Sequence, residues 1–136
     1  MLPTPADVNE MVRSRFPGSE VECVELSRDA SLVRYGTRPG ALRPGGFISG
    51  PTQFAVADAA LWYLVFGALG RIEPMALTSE LSIRFLRPAQ GSDLYARATL
   101  DTIGRRNVVG TVRVWVDALE HKAVSVAQGT YVLPQG

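Results

Sequence analysis

The sequence predicts an α+β domain in which a curved, largely antiparallel sheet wraps around one long apolar helix. Three observations carry this reading. Residues 49–70 form an apolar run whose only ionisable acid or base, besides Tyr63, is Asp58. Four later stretches, at residues 77–85, 94–101, 108–117 and 123–133, are strand-like; the first three alternate apolar with polar side chains, as half-buried strands do. A chain of 136 residues is long enough for one core and too short for two, so residues 1–136 are a single domain, with residues 1–18 as an N-terminal helical segment.

Val8, Met11, Val12 and Phe16 recur at helical spacing behind Thr4-Pro5, read as a cap and first turn, which predicts a helix with residues 6–16 that stops at Pro17-Gly18. From Glu20 the period becomes two. Val21 and Cys23, then Val24 and Leu26 after one slip, lead through Ser27-Arg28-Asp29 to a second run at residues 31–35, giving a β-hairpin. Residues 37–46 hold Pro39, Gly40, Pro44, Gly45 and Gly46, a loop suited to close backbone approach.

In the central run, Pro51 fits a helix start and Gly67 and Gly70 lie near its end, so it reads as about five turns of helix. Its apolar side chains point all round, and such a helix must be enclosed. A bilayer is one way, but Asp58 near the middle is costly there, and Thr52 and Gln53 shorten the apolar part. A sheet is the other. The separators at residues 88–91, 104–105 and 118–121 are short enough for hairpins, so the last four strands read as a meander. Ala123, Ser125, Ala127 and Gly129 are small and share one parity, which would let the helix lie close.

Lys and Arg total 14 against 13 Asp and Glu, too balanced for a protein that tracks a phosphate backbone, so no nucleic-acid partner is expected. One cysteine, Cys23, rules out an intrachain disulfide and multi-cysteine zinc patterns, and no metal site is expected. Cys23 reads as a small buried apolar residue. The opening residues are mixed and charged without an apolar leader, so a cytoplasmic location without membrane association is expected.

Three stretches then stand in a telling order. Gly45-Gly46-Phe47-Ile48-Ser49-Gly50 enters the helix that carries Ala57-Asp58-Ala59-Ala60; residues 81–88 are followed by Gly91-Ser92-Asp93-Leu94; and Gly104-Arg105-Arg106 closes a turn. Over residues 21–133 the sequence resembles hotdog-fold acyl-CoA thioesterases of the phenylacetic-acid-degradation type. The resemblance implies a homodimer, often paired again into a homotetramer, with active sites between subunits. It implies no cofactor beyond the CoA thioester that is the substrate. It also implies hydrolysis of an acyl-CoA, here with a medium-chain or aromatic acyl group, to the free acid and CoA.

Thioester chemistry needs an attack on the carbonyl and a place for the charge on its oxygen. A helix N-terminus offers free N–H groups and a positive dipole end, so the Gly50 amide is the natural oxyanion donor, as the equivalent glycine is in the family. Asp58 lies eight residues on, about 12 Å along the helix, too far to act on the same carbonyl. A two-fold dimer brings Asp58 of one chain to Gly50 of the other. The family's carboxylate at this place is a nucleophile or a general base on water, and both roles stand for Asp58. The structural alternative is a helix acid bonded to a neighbouring strand; its apolar neighbours Phe54, Leu61 and Trp62 predict desolvation.

The family's His-Gly pair reads Ser49-Gly50 here, its Asn or Gln seven residues earlier is Arg43, the Thr after the acid is Ala59, and Pro51 replaces a small residue. Ser49 is either a donor in place of that His or a helix cap. Gln53 either orients water or is a solvated or capping side chain. Arg87, at a strand end, and Arg105 and Arg106, at a turn, are candidates for the CoA phosphates, against an ordinary solvated or structural role. Trp62 either shapes the acyl pocket or fills the core. His121 sits in a turn far from the helix mouth, which speaks against hydratase chemistry. The alternative to hydrolysis is a protein of the same fold that binds an acyl-CoA or acyl-carrier thioester without cleaving it.

Overall fold

The computed structural model describes residues 1–135. It contains α1 (Pro5–Arg15), β1 (Glu22–Leu26), β2 (Ala30–Gly36), β3 (Leu42–Arg43), β4 (Phe47–Ile48), α2 (Gly50–Leu69), β5 (Leu77–Phe85), β6 (Asp93–Ile103), β7 (Asn107–Val116) and β8 (Ser125–Val132). Six strands form one antiparallel sheet in the order β1-β2-β6-β7-β8-β5, while β3 and β4 make a separate small hairpin. Helix α2 packs against β6, β2, β7 and β8, which is the helix-in-sheet arrangement of the hotdog fold.

Helix α1 begins at Pro5 behind the Thr4 cap, as expected. The Thr4 hydroxyl accepts from the Asp7 N–H at 3.1 Å, and the Asp7 carboxylate accepts from the Thr4 N–H at 2.9 Å, a reciprocal capping box. Its inner face buries Val8 and Val12. Asn9 donates from Nδ2 to the Cys23 carbonyl at 3.0 Å and accepts from the Cys23 N–H at 2.8 Å. The side-chain amide thus replaces a missing strand on β1 and blunts that sheet edge. Cys23 is buried, and its thiol is pushed up to about 12, first by desolvation and then by the charge of Glu22.

The expected slip in the first strand is a register shift between Cys23 and Glu25. The expected loop at residues 37–46 is more ordered than predicted: a short 3-10 turn at Pro39–Ala41 leads into β3, and Gly45 and Gly46, at φ of +91° and +80°, turn the chain into β4. Helix α2 ends at Gly70, whose φ of +76° is the left-handed cap that glycine supplies.

One topological expectation is corrected. The last four strands are not a simple meander, because β5 pairs with β8 and not with β6. Residues 86–92 cross the sheet end over β8 and β7 to reach β6. Three strand spacings of about 4.8 Å need only about 14 Å, which seven extended residues span easily. This crossing makes β5 an edge strand.

Gly110 and Gly129 lie opposite one another on β7 and β8 beneath α2. A Cβ built at Gly129 would stand 2.8 Å from the Leu61 side chain and 2.8 Å from the Glu80 carbonyl; one at Gly110 would stand 2.7 Å from Leu64. Small residues here let the helix approach the sheet. Ser31 on β2 ties the helix to the other half of the sheet, beyond β6, donating to the Ala60 carbonyl at 2.6 Å. By length and composition α2 is apolar enough to cross a membrane, but Val56, Ala57, Ala60, Leu61, Leu64 and Val65 are buried in this core. The enclosure is one-sided: Phe54 remains 38% exposed, contrary to the expectation of a fully covered helix.

Candidate active site

Along its uncovered flank, α2 runs antiparallel to β5 and the two form an apolar groove. Gly50, Pro51, Phe54, Ile83 and Phe85 line 430 Å³ of it. Phe85, 53% exposed, lies against Gly50 so closely that a Cβ there would stand 3.1 Å from its ring. A side chain at Gly50 would therefore require the exposed Phe85 ring to give by a few tenths of an ångström.

At the helix mouth Ser49 is the cap. Its Oγ accepts from the Thr52 N–H at 3.2 Å and gives its own proton to Thr52 Oγ1 at 2.8 Å. Of the two readings of Ser49, the geometry realises the cap. Pro51 has no N–H, and Gly50 opens the helix without an upstream helical acceptor, so the Gly50 N–H makes no hydrogen bond among the described residues.

Gln53 is 4% exposed, which excludes the solvated alternative. Its Nε2 donates to the Ile48 carbonyl at 3.2 Å, bracing the joint between β4 and α2. Its Oε1 is buried without a hydrogen-bond partner among the described residues, as is Oγ of Ser125 on β8.

About two turns beyond Gly50, Asp58 is half-buried at the other end of the flank. It is less enclosed than its apolar neighbours in the sequence predict, because it faces the β5 side and not the sheet centre. Its Oδ1 accepts two hydrogen bonds, one from Thr78 Oγ1 at 2.8 Å and one from the Tyr131 hydroxyl at 2.8 Å. Neither residue was singled out from the sequence. Tyr131 follows Ser125, Ala127 and Gly129 on the parity that faces α2, so a hydroxyl at the end of that small-residue row had to meet the helix. Thr78 is the strand partner of Tyr131, and a register shift between Thr78 and Glu80 lies beside it. Burial and the negative charge of Asp58 both push the Tyr131 hydroxyl's ionisation upward, so it stays a donor.

The arginines fall at opposite ends of the sheet. Arg105 and Arg106, in the β6–β7 turn, line a 660 Å³ depression with Leu133, Pro134 and Gln135, at the Asp58 end. Leu133 donates to the Arg106 carbonyl at 2.8 Å, and neither guanidinium forms an ion pair with a described carboxylate. Arg87 follows β5 at the Gly50 end, where its guanidinium donates to the Ala123 carbonyl. Trp62 stacks edge-on against Phe16 and Phe66, both at 5.2 Å between ring centroids, which ties it to the end of α1. His121 is exposed in the β7–β8 connection.

The fold recurs among solved structures. A candidate thioesterase from Silicibacter sp. TM1040 is 30% identical, with a TM-score of 0.85 over 97% of this chain and 92% of its own. A thioesterase from Haemophilus influenzae is 18% identical, with a TM-score of 0.82 over 97% and 91%. The phenylacetic acid degradation protein PaaI of Thermus thermophilus, in a mutant form, is 22% identical, with a TM-score of 0.70 over 84% and 93%. No curated protein matches the sequence. Residues 45–120, more than half of the chain, match the Thioesterase superfamily and span the helix mouth, Asp58, Thr78 and the Arg105-Arg106 turn. The chain belongs to the Thioesterase superfamily.

Proposed function

We propose that the protein is an acyl-CoA thioesterase of the phenylacetic-acid-degradation type, acting on a medium-chain or aromatic acyl group at sites shared between two chains. The observation that carries this reading is the open α2–β5 groove, with a free backbone N–H at one end and a hydroxyl-braced carboxylate at the other. In one chain the two are about 12 Å apart along the helix. A second copy related by a two-fold axis, with its α2 antiparallel to the first, sets Asp58 of each chain beside Gly50 of the other. The unpaired edge of β5 and the exposed rings of Phe54 and Phe85 are the surfaces such a copy would cover.

In that assembly the Gly50 N–H and the α2 dipole hold the thioester oxygen as charge develops on it. Asp58 from the partner chain then either attacks the carbonyl carbon, expelling the CoA thiolate and leaving an anhydride that water hydrolyses to the acid, or takes a proton from an attacking water, after which the C–S bond breaks to give the acid and CoA. Arg105 and Arg106 of the chain that supplies Asp58 come to the same end as Arg87 of the chain that supplies Gly50. The free guanidinium pair at the turn suits the CoA phosphates best, since Arg87 is already engaged by Ala123. The acyl group lies in the apolar groove; the reaction needs no cofactor, and a cytoplasmic setting would supply its CoA thioester.

A specific observation favours a second reading, binding without hydrolysis. Ser49 is engaged as the helix cap by both the N–H and the hydroxyl of Thr52, where the family's His would stand. A free-thiol assay over a panel of aliphatic and aromatic acyl-CoAs separates the readings. Under the first, wild type releases thiol and Asp58→Asn falls by at least about 100-fold, the lower end of general-base contributions. Tight acyl-CoA binding with no thiol released by wild type would establish the second.

A further inference from the structure

We propose that Tyr131 is a positioning residue for the reaction: with Thr78 it holds Oδ1 of Asp58, so that Oδ2 is the oxygen presented to the substrate. The inference rests on the reading of Asp58 as the reacting carboxylate.

Both hydroxyls reach the same oxygen at 2.8 Å, and Oδ2 receives no hydrogen bond from a described residue. Carboxylate torsions are soft and two-fold, so a free Asp side chain on an open flank would spread over many orientations. Two donors on one oxygen remove that freedom. They come from neighbouring strands that pair in register at Thr78 and Tyr131, and the bulge beside Thr78 turns its side chain toward the helix.

The Tyr131 hydroxyl also lies 3.1 Å from the Asp58 carbonyl, but it has one proton, and the charged carboxylate is the stronger acceptor. Tyr131 is 5% exposed, so its ring is fixed by packing and carries the hydroxyl on a rigid arm. Thr78 stands on the exposed edge strand and supplies the second, wetter donor. This arrangement fixes the carboxylate from the sheet side and leaves Oδ2 without a hydrogen bond from a described residue, the kind of restraint that proximity catalysis requires.

The test compares Tyr131→Phe, Thr78→Val and Asp58→Asn by steady-state thiol release and thermal melting. Tyr131→Phe is expected to lower kcat about tenfold, within the cost of a small misplacement of a reacting group. KM should stay within about twofold, because substrate contacts are untouched. Thr78→Val, on the exposed strand, should lower kcat in the same way with an unchanged melt; it carries the test by itself if Tyr131→Phe does not fold. Wild-type kcat in Tyr131→Phe or Thr78→Val, beside an inactive Asp58→Asn, would overturn the positioning role and leave the Asp58 reading intact. A kcat loss in these variants that follows a lowered melting temperature would also overturn it, assigning the hydroxyls to structure. Wild-type hydrolysis by Asp58→Asn would overturn both.

Discussion

The two flanks of α2 are built to opposite rules. On the flank over β7 and β8, Leu61 and Leu64 press onto Gly129 and Gly110 with no room for a single methyl group. On the flank over β5, Pro51 and Phe54 look into a groove walled by Ile83 and Phe85 and left open. One helix is therefore finished on one side and unfinished on the other. The chemistry proposed for the protein sits on the unfinished side, with Gly50 and Asp58 as the groups that a second copy would bring together.

That contrast makes opposite predictions for substitutions of similar size. Gly129→Ala should destabilise the folded chain by about 1–3 kcal/mol, the usual cost of overpacking, because the new methyl meets the Glu80 backbone as well as Leu61 and Leu81. Chemical denaturation would measure it, and an unchanged midpoint would mean that the closed flank has slack. Phe54→Ser, on the open flank, should change the stability of the separated chain by only about 0.5 kcal/mol, as surface substitutions do. It should instead shift light scattering at micromolar concentration from a dimer, or a dimer of dimers, toward the monomer. A variant that melts early yet stays dimeric would place Phe54 in the core and not at the interface.

The smallest effect is expected at the β6–β7 turn. Arg105→Ala with Arg106→Ala should raise KM for acyl-CoA several-fold and leave a short acyl thioester without the nucleotide much less affected, since only the former has phosphates to bind. Equal effects on both substrates would give the two arginines a structural role at the rim of their depression.

How much of this was legible in the sequence follows the same division. The closed flank was readable because its signals are local. The parity of Ser125, Ala127 and Gly129, the apolar length of α2 and the Gly70 stop each depend on a few neighbouring residues. The Thr4 cap and the slip at Cys23 were readable for the same reason. The position of β5 was not, because short separators fit a hairpin and a crossing equally well, and only pairing across the whole sheet decides between them. Tyr131 and Thr78 escaped notice with it: their convergence on Asp58 depends on β5 lying beside β8. Asp58 and Gly50 were singled out because each is unusual in its setting, a lone acid in an apolar helix and a glycine before Pro51 at the helix mouth. The bracing of the acid is a tertiary fact, and so is the burial of Gln53.

The central claim is that one active site draws Gly50 from one chain and Asp58 from its partner, and mixed dimers test it most directly. Ser49, at φ of −67° and ψ of 154°, already has the backbone that precedes proline, and the first helical turn accepts one, so Gly50→Pro removes the N–H with little demand on the main chain. Phe85 must shift slightly to admit the ring. Asp58→Asn and Gly50→Pro chains should each be inactive alone in the free-thiol assay. Unfolded together and refolded as an equal mixture, they should regain about a quarter of wild-type activity, because random pairing makes half the dimers mixed and each mixed dimer holds one intact site. A mixture that stays as inactive as its parents, while size and melting show mixed dimers to have formed, would contradict the shared site.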